Sequence, residues 1–114
     1  MNGELFIQIW DVQHGNAIYI NTPNNKDLVV DLGWGSFGQE GVFSPLSYIW
    51  KYYGVRKIEC LFITHPHIDH IDDIGNIDHF QLTTLARPRD ISYMKLRENL
   101  KEEDIYKIEK YISL

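Results

Sequence analysis

The chain has 114 residues, 44 % of them hydrophobic and 24 % charged, ordinary values for one globular domain with a buried core. A formal net charge of −5 argues against a broad phosphate-binding face, although bound divalent cations would reverse the field locally. No apolar run approaches bilayer-spanning length and the opening MNGELFIQIW lacks a basic n-region and a cleavage site, so a cytoplasmic protein with no membrane partner is expected.

In chain order, ELFIQIWDV and NAIYIN read as strands, with apolar residues alternating or continuous. TPNNKD then marks a hairpin leading into LVVDLG: Pro23 opens the turn, and Asn24-Asn25 tolerates a positive φ. Residues 33–43, GWGSFGQEGVF, are rich in glycine, but their spacing fits neither Gly-rich phosphate-loop fingerprint, so an irregular connection is expected. Ser44-Pro45 is a helix start, an N-cap followed by proline at the first helical position. Leu46, Ile49, Trp50 and Tyr53 follow at i, i+3, i+4 and i+7, a stripe suited to packing on a sheet, and Gly54 is the stop.

KIECLFIT is apolar on both faces, as expected of a central strand covered on both sides. Cys60 within it is the chain's one cysteine, so no disulfide forms within the chain; it reads as a small core residue rather than a reactive thiol. Ile71, Ile74 and Ile77 suggest a helix weakened by Gly75, and QLTTLA a further strand. From Ser92 the tail reads as a charged helix with Leu96, Leu100, Ile105, Ile108 and Ile112 on its apolar face. The order of strands, helix, strand, helix, strand, helix predicts a mixed α/β domain.

Between KIECLFI and the isoleucine repeat lies THPHIDHI, residues 64–71. Alternate side chains of an extended segment share a side, so His65, His67 and Asp69 can converge, with Pro66 stiffening the peptide between the two imidazoles. His70 follows where the chain turns into a helix. Neutral imidazoles and a carboxylate suit zinc, and four such groups on one short loop can supply parts of two adjacent metal sites. Two ions together can bind both the attacking and the leaving oxygen of a hydrolysis. The bland reading, a polar loop that happens to hold histidines, is disfavoured by the tight spacing and by the buried strand that delivers it.

THPHIDHI resembles the H-x-H-x-D-H signature of the metallo-β-lactamase superfamily. IWDVQHGNAIYINTPNNKDLVVDLG is similar to the opening of one branch, the hydrolase domain of competence-associated DNA-internalisation proteins, with Asp11 to Ala17 and Val30 to Gly33 standing where that branch has D-V-G-Q-G-D-A and I-D-T-G. The resemblance spans about residues 4 to 86. It implies that His65 and His67 serve one zinc and that Asp69 and His70 serve a second. Asp31, at the end of the hairpin strand, is implied to support the metal loop from behind, and Asp69 also to orient the reacting water. Manganese or iron would suit the same ligands. Gln13, His14 and Asn16 depart from the branch pattern; His14 could approach the site from the first turn but reads better as a solvent-facing loop histidine, and His79 as a surface residue.

The family fold is a four-layered αββα sandwich of two similar halves, so residues 1–114 are expected to form a single partial domain, its N-terminal half. The resemblance requires a further histidine, a bridging aspartate and a last histidine, and no convincing counterpart follows residue 70. Each zinc would then have two protein ligands rather than the usual three. The expectation is a metal-dependent hydrolase, acting on a phosphodiester or nucleic acid, inactive as this short chain. It would be completed by the missing C-terminal half or by a self-associating partner chain. A non-catalytic binding or assembly module with incomplete metal sites is the alternative.

Overall fold

The computed structural model describes residues 3–12, 16–36, 42–88, 92–96, 98 and 100–114, with the side chains of Ser36, Asp69, Tyr93 and Glu103 outside that description. Three strands open the fold as an antiparallel meander: β1 (Phe6–Ile9), β2 (Ile18–Asn21) and β3 (Asp27–Val30). The β2–β3 hairpin turns where its asparagines predict, and Asn25 takes a φ of 62°. Thr22 holds the turn shut, accepting from the Lys26 amide through its hydroxyl. The glycine-rich connection that follows contributes two short strands, β4 (Gly35–Ser36) and β5 (Val42–Phe43), paired with each other.

Helix α1 (Pro45–Tyr52) starts at the predicted cap: Ser44 Oγ accepts from the Ser47 amide and Pro45 occupies the first turn. It stops before Gly54, whose φ of 67° is the left-handed conformation that glycine adopts at little cost. The chain then crosses over to β6 (Lys57–Phe62), parallel to β3, and later to β7 (Gln81–Ala86), parallel to β6. The result is a five-stranded mixed sheet of order β1-β2-β3-β6-β7. A parallel pair needs such a crossover because its second strand must return to the starting end.

After β6 come a single helical turn, α2 (Ile68–Ile71), and a 3-10 helix over Asp72–His79. The segment of the isoleucine triplet thus departs from the ordinary helix expected of it. Residues three apart eclipse in a 3-10 helix, so Ile74 and Ile77 share a face, and with Ile71 at the end of α2 all three are buried. The tail divides into α3 (Tyr93–Leu96) and α4 (Glu102–Ser113) rather than forming one helix. Its buried face is Lys107, Ile108 and Tyr111, whereas Ile112, expected there, is exposed. No helix among the described residues is long and apolar enough to cross a membrane.

One core lies between the sheet and the helices, joining Tyr19, Val29 and Leu61 to Leu46, Ile49, Ile74 and Ile108. Among the described residues nothing covers the opposite sheet face in this way, contrary to the expectation for KIECLFIT. Strand register aligns two apolar rows across it, Ile7–Ile20–Leu28–Cys60 and Ile9–Ile18–Val30–Phe62–Ala86. Ile7, Ile9 and Phe62 are 53 %, 69 % and 39 % exposed. Cys60, expected in the core, sits half-buried in the first of these rows. Trp50 likewise leaves the predicted α1 stripe: it is exposed, and the Arg56 guanidinium lies 3.7 Å from its ring centre.

Candidate metal centre

The parallel neighbours β3 and β6 end side by side, and the residues just beyond them build the site. Asp31 follows β3 and is fully buried. Its φ of 58° puts it in the left-handed region, which aspartate tolerates better than most residues but which still costs roughly 1–2 kcal/mol. That conformation is held from several directions. The Asp31 amide donates to the Phe62 carbonyl at 2.7 Å, and the Leu32 amide to the His70 carbonyl at 2.7 Å. The Asp73 amide donates back to the Leu32 carbonyl at 2.8 Å, so the segment after β3 is laced to the end of α2.

The Asp31 carboxylate then reaches across to the histidine loop. Oδ1 accepts from the Thr64 amide at 2.7 Å, and Oδ2 from the Thr64 hydroxyl at 2.5 Å. His70 Nδ1 lies 3.1 Å from the same Oδ2. A carboxylate in this role only accepts, so a proton sits on His70 Nδ1, and in the neutral ring the lone pair is then on Nε2. The same logic passes through Thr64 to His65. The Thr64 hydroxyl spends its one proton on Asp31 and can therefore only accept from His65 Nδ1, 3.3 Å away. One buried carboxylate thus fixes the ring state of two histidines, the part that outer-shell carboxylates play behind ligating imidazoles.

The rings gather. The His65 centroid is 6.0 Å from that of His67 and 5.6 Å from that of His70. Pro66 between the first two is buried and anchors the loop, while both histidines face outward. His67 is still extended, at φ −79° and ψ 153°, and caps α2; its carbonyl accepts from the His70 amide at 2.9 Å. Asp69 lies within α2, but its side chain, like all of His14, is outside the described residues. His79 is exposed on the 3-10 helix. Among the described residues no group of three or more His, Cys, Asp or Glu side chains is placed to hold one metal ion. The donor set fits a divalent cation in kind, with imidazoles near one another, and among the described residues falls short of a full cage in number.

Asp73 carried no signal of its own in the sequence. It is buried, and its carboxylate collects four donors: Ser44 Oγ at 2.6 Å, the Trp34 indole N–H and Asn76 Nδ2 at 2.8 Å each, and the Leu46 amide at 2.8 Å. Burial pushes its carboxyl above the ordinary carboxylate range, and the Ser44, Asn76, Leu46 and Trp34 donors pull it partway back. Asp73 ties the start of α1 to the turn behind the histidines. Thr64, which hands Asp31's influence on to His65, had no sequence signal beyond its place before the first histidine.

The family model of the metallo-beta-lactamase superfamily matches residues 10–107. No curated protein and no solved structure matches the chain significantly. The mixed sheet with helices on one face accords with part of that family's architecture. A match over most of the sequence, together with the histidine loop at the ends of β3 and β6, leads to one assignment: the chain belongs to the metallo-beta-lactamase superfamily.

Proposed function

We propose that this chain is the metal-binding half of a divalent-metal-dependent hydrolase acting on phosphodiesters or nucleic acid. The observation that carries the metal reading is the clustering of three imidazoles around the Thr64–Asp31–His70 anchor. His65 and His67 would hold one ion, and Asp69 with His70 a second. Bound there, zinc, or manganese or iron in its place, would polarise a phosphoryl oxygen and lower the pKa of water. Asp31 orients His70 directly and His65 through Thr64. Buried Pro66 limits the swing of the two outward-facing rings, and Asp69 is the residue we assign to hold the attacking water by hydrogen bonding.

The substrate class rests on the resemblance of residues 10–33 to the DNA-internalisation branch, which is analogy. Two protein donors per ion are too few for a catalytic site. The remaining donors would come from a C-terminal half of the sandwich or from a second chain. Either would also cover the two apolar rows of the open sheet face. The 114-residue chain is therefore expected to bind zinc weakly and to turn over a chromogenic phosphodiester barely, if at all, with added zinc or manganese. No binding in a zinc titration would sink the metal reading. Robust turnover abolished by His67→Ala would sink the half-site reading.

A second reading, a non-catalytic binding or assembly module, is favoured by the lack of a three-donor set among the described residues. Metal content separates the two. About two zinc ions per completed protein supports the hydrolase, and none supports the module.

A further inference from the structure

A buried lysine stands behind the histidine loop, on an element the metal reading does not use. Lys107 of α4 is 5 % exposed. Its Nζ lies 2.8 Å from Asp72 Oδ1 and 3.4 Å from Asp104 Oδ1, and 4.1 Å from the centre of the Trp34 ring. Asp104 belongs to α4 itself, whereas Asp72 and Trp34 fall on the two walls of the site. Asp72 follows His70 by two residues and closes α2. Trp34 ends the segment that begins at Asp31, and its indole is bonded to Asp73.

A lone ammonium at that depth would be expelled or neutralised. Here Asp72 and Asp104 supply charge and hydrogen bonds, and the indole face supplies a further attraction for a cation. The arrangement is more elaborate than seating a helix requires. An apolar residue of similar length at position 107 would bury as well, and exchanging a buried ion pair for apolar packing is often neutral or stabilising. The lysine does something an apolar residue cannot: it holds Asp72 and Trp34 at once. The backbone bonds between Leu32 and His70, and between Asp73 and Leu32, run between those same two walls. α4 packs against both α2 and the 3-10 helix, so its docking is transmitted to the turn that carries His70.

We propose that Lys107 is a positioning residue for the metal centre, clamping the Asp31–Trp34 segment to the His70–Asp73 turn and so setting the aim of His70. This rests on the metal reading above for its consequence and not for its geometry. The test compares the wild-type chain with Lys107→Met, which keeps the length and loses the charge, and with Lys107→Arg, which keeps the charge. Three quantities are read: cobalt(II) affinity, the cobalt d–d spectrum, and the ring-nitrogen resonances of His70 in the metal-free protein.

Lys107→Met should weaken cobalt binding by up to about 10-fold, the lower end of what losing a partner bonded directly to a ligand costs. It should also shift the d–d bands and move the His70 resonances away from the pure Nδ1–H form, with Lys107→Arg recovering part of each. A role confined to helix docking would lower the metal-free melting temperature and leave all three unchanged in the molecules that remain folded; that result overturns the proposal. If the methionine variant does not fold, Asp72→Asn breaks the same clamp from its other end and is read in the same way. Should the wild type bind no cobalt, the metal reading fails by itself. The His70 resonances then still decide the clamp, and identical spectra in wild type and variant refute it.

Discussion

Asp31 gathers the hydrogen bonds behind the histidine loop on one side chain. It is fully buried in a strained backbone conformation, and it answers to two residues that lie 33 and 39 positions further on. Asp31→Asn keeps the size and the tolerance for positive φ. It replaces one acceptor oxygen with an N–H₂ group that faces the donors on Thr64 or His70. We expect the variant to fold and to lose about 10–100-fold in zinc affinity, measured by competition with a chromophoric chelator. Unchanged affinity would remove Asp31 from the site. THPHIDHI made the histidines legible, since their type and spacing carry the signal, and Asp31 came from the resemblance. Thr64, Asp73 and Lys107 were not legible. Their roles depend on partners brought near by the sheet crossover, and nothing local distinguishes a buried Asp73 from the half-buried Asp72 beside it.

Among the elements, α1 has the most closely specified start. Ser44 accepts from the Ser47 amide and from Asn76 Nδ2, and donates to Asp73. It therefore caps its own helix and joins that helix to the turn behind the histidine loop. Ser44→Ala should cost about 2 kcal/mol, near the upper end for a lost N-cap because a buried carboxylate loses a donor too. That corresponds to a fall in melting temperature of roughly 5–10 °C for a chain of this size. A change within a degree would mean that the remaining donors compensate. The sequence foretold this cap, the hairpin asparagines, the five sheet strands and the Gly54 stop, all of which are local choices. It did not foretell the 3-10 helix. An isoleucine every third residue fits one face of an α-helix as well, and burial of all three in the core suits either geometry.

At the scale of the whole molecule, the titrating groups act in one direction at high pH. Burial raises Tyr19 far above its ordinary value, with the Asp27 hydrogen bond adding to the shift, and raises Tyr53, Tyr111 and Cys60 as well. For Lys107, burial lowers the value and Asp72 and Asp104 more than reverse it, so that it too is raised. A group whose folded value lies above its unfolded one stabilises fully below the unfolded value, and that contribution is lost as pH climbs through the folded one. Stability should therefore decline from about pH 9 upward, where the unfolded cysteine and tyrosines begin to titrate. Tyr19→Phe should flatten the decline. Urea unfolding followed by circular dichroism from about pH 8 to 11 is the measurement, and a midpoint that rises across that range would contradict the assignment.

The pairing of β3 with β6 sets the order in which the parts can appear as the chain folds. The β1–β2–β3 meander and α1 are assembled from near neighbours in sequence and can form early. Asp31 meets Thr64 only once the crossover has closed, and long-range parallel pairing is slow. The anchor behind the histidines is thus a late event. After dilution from denaturant, the ability to bind metal should lag behind the recovery of helix signal.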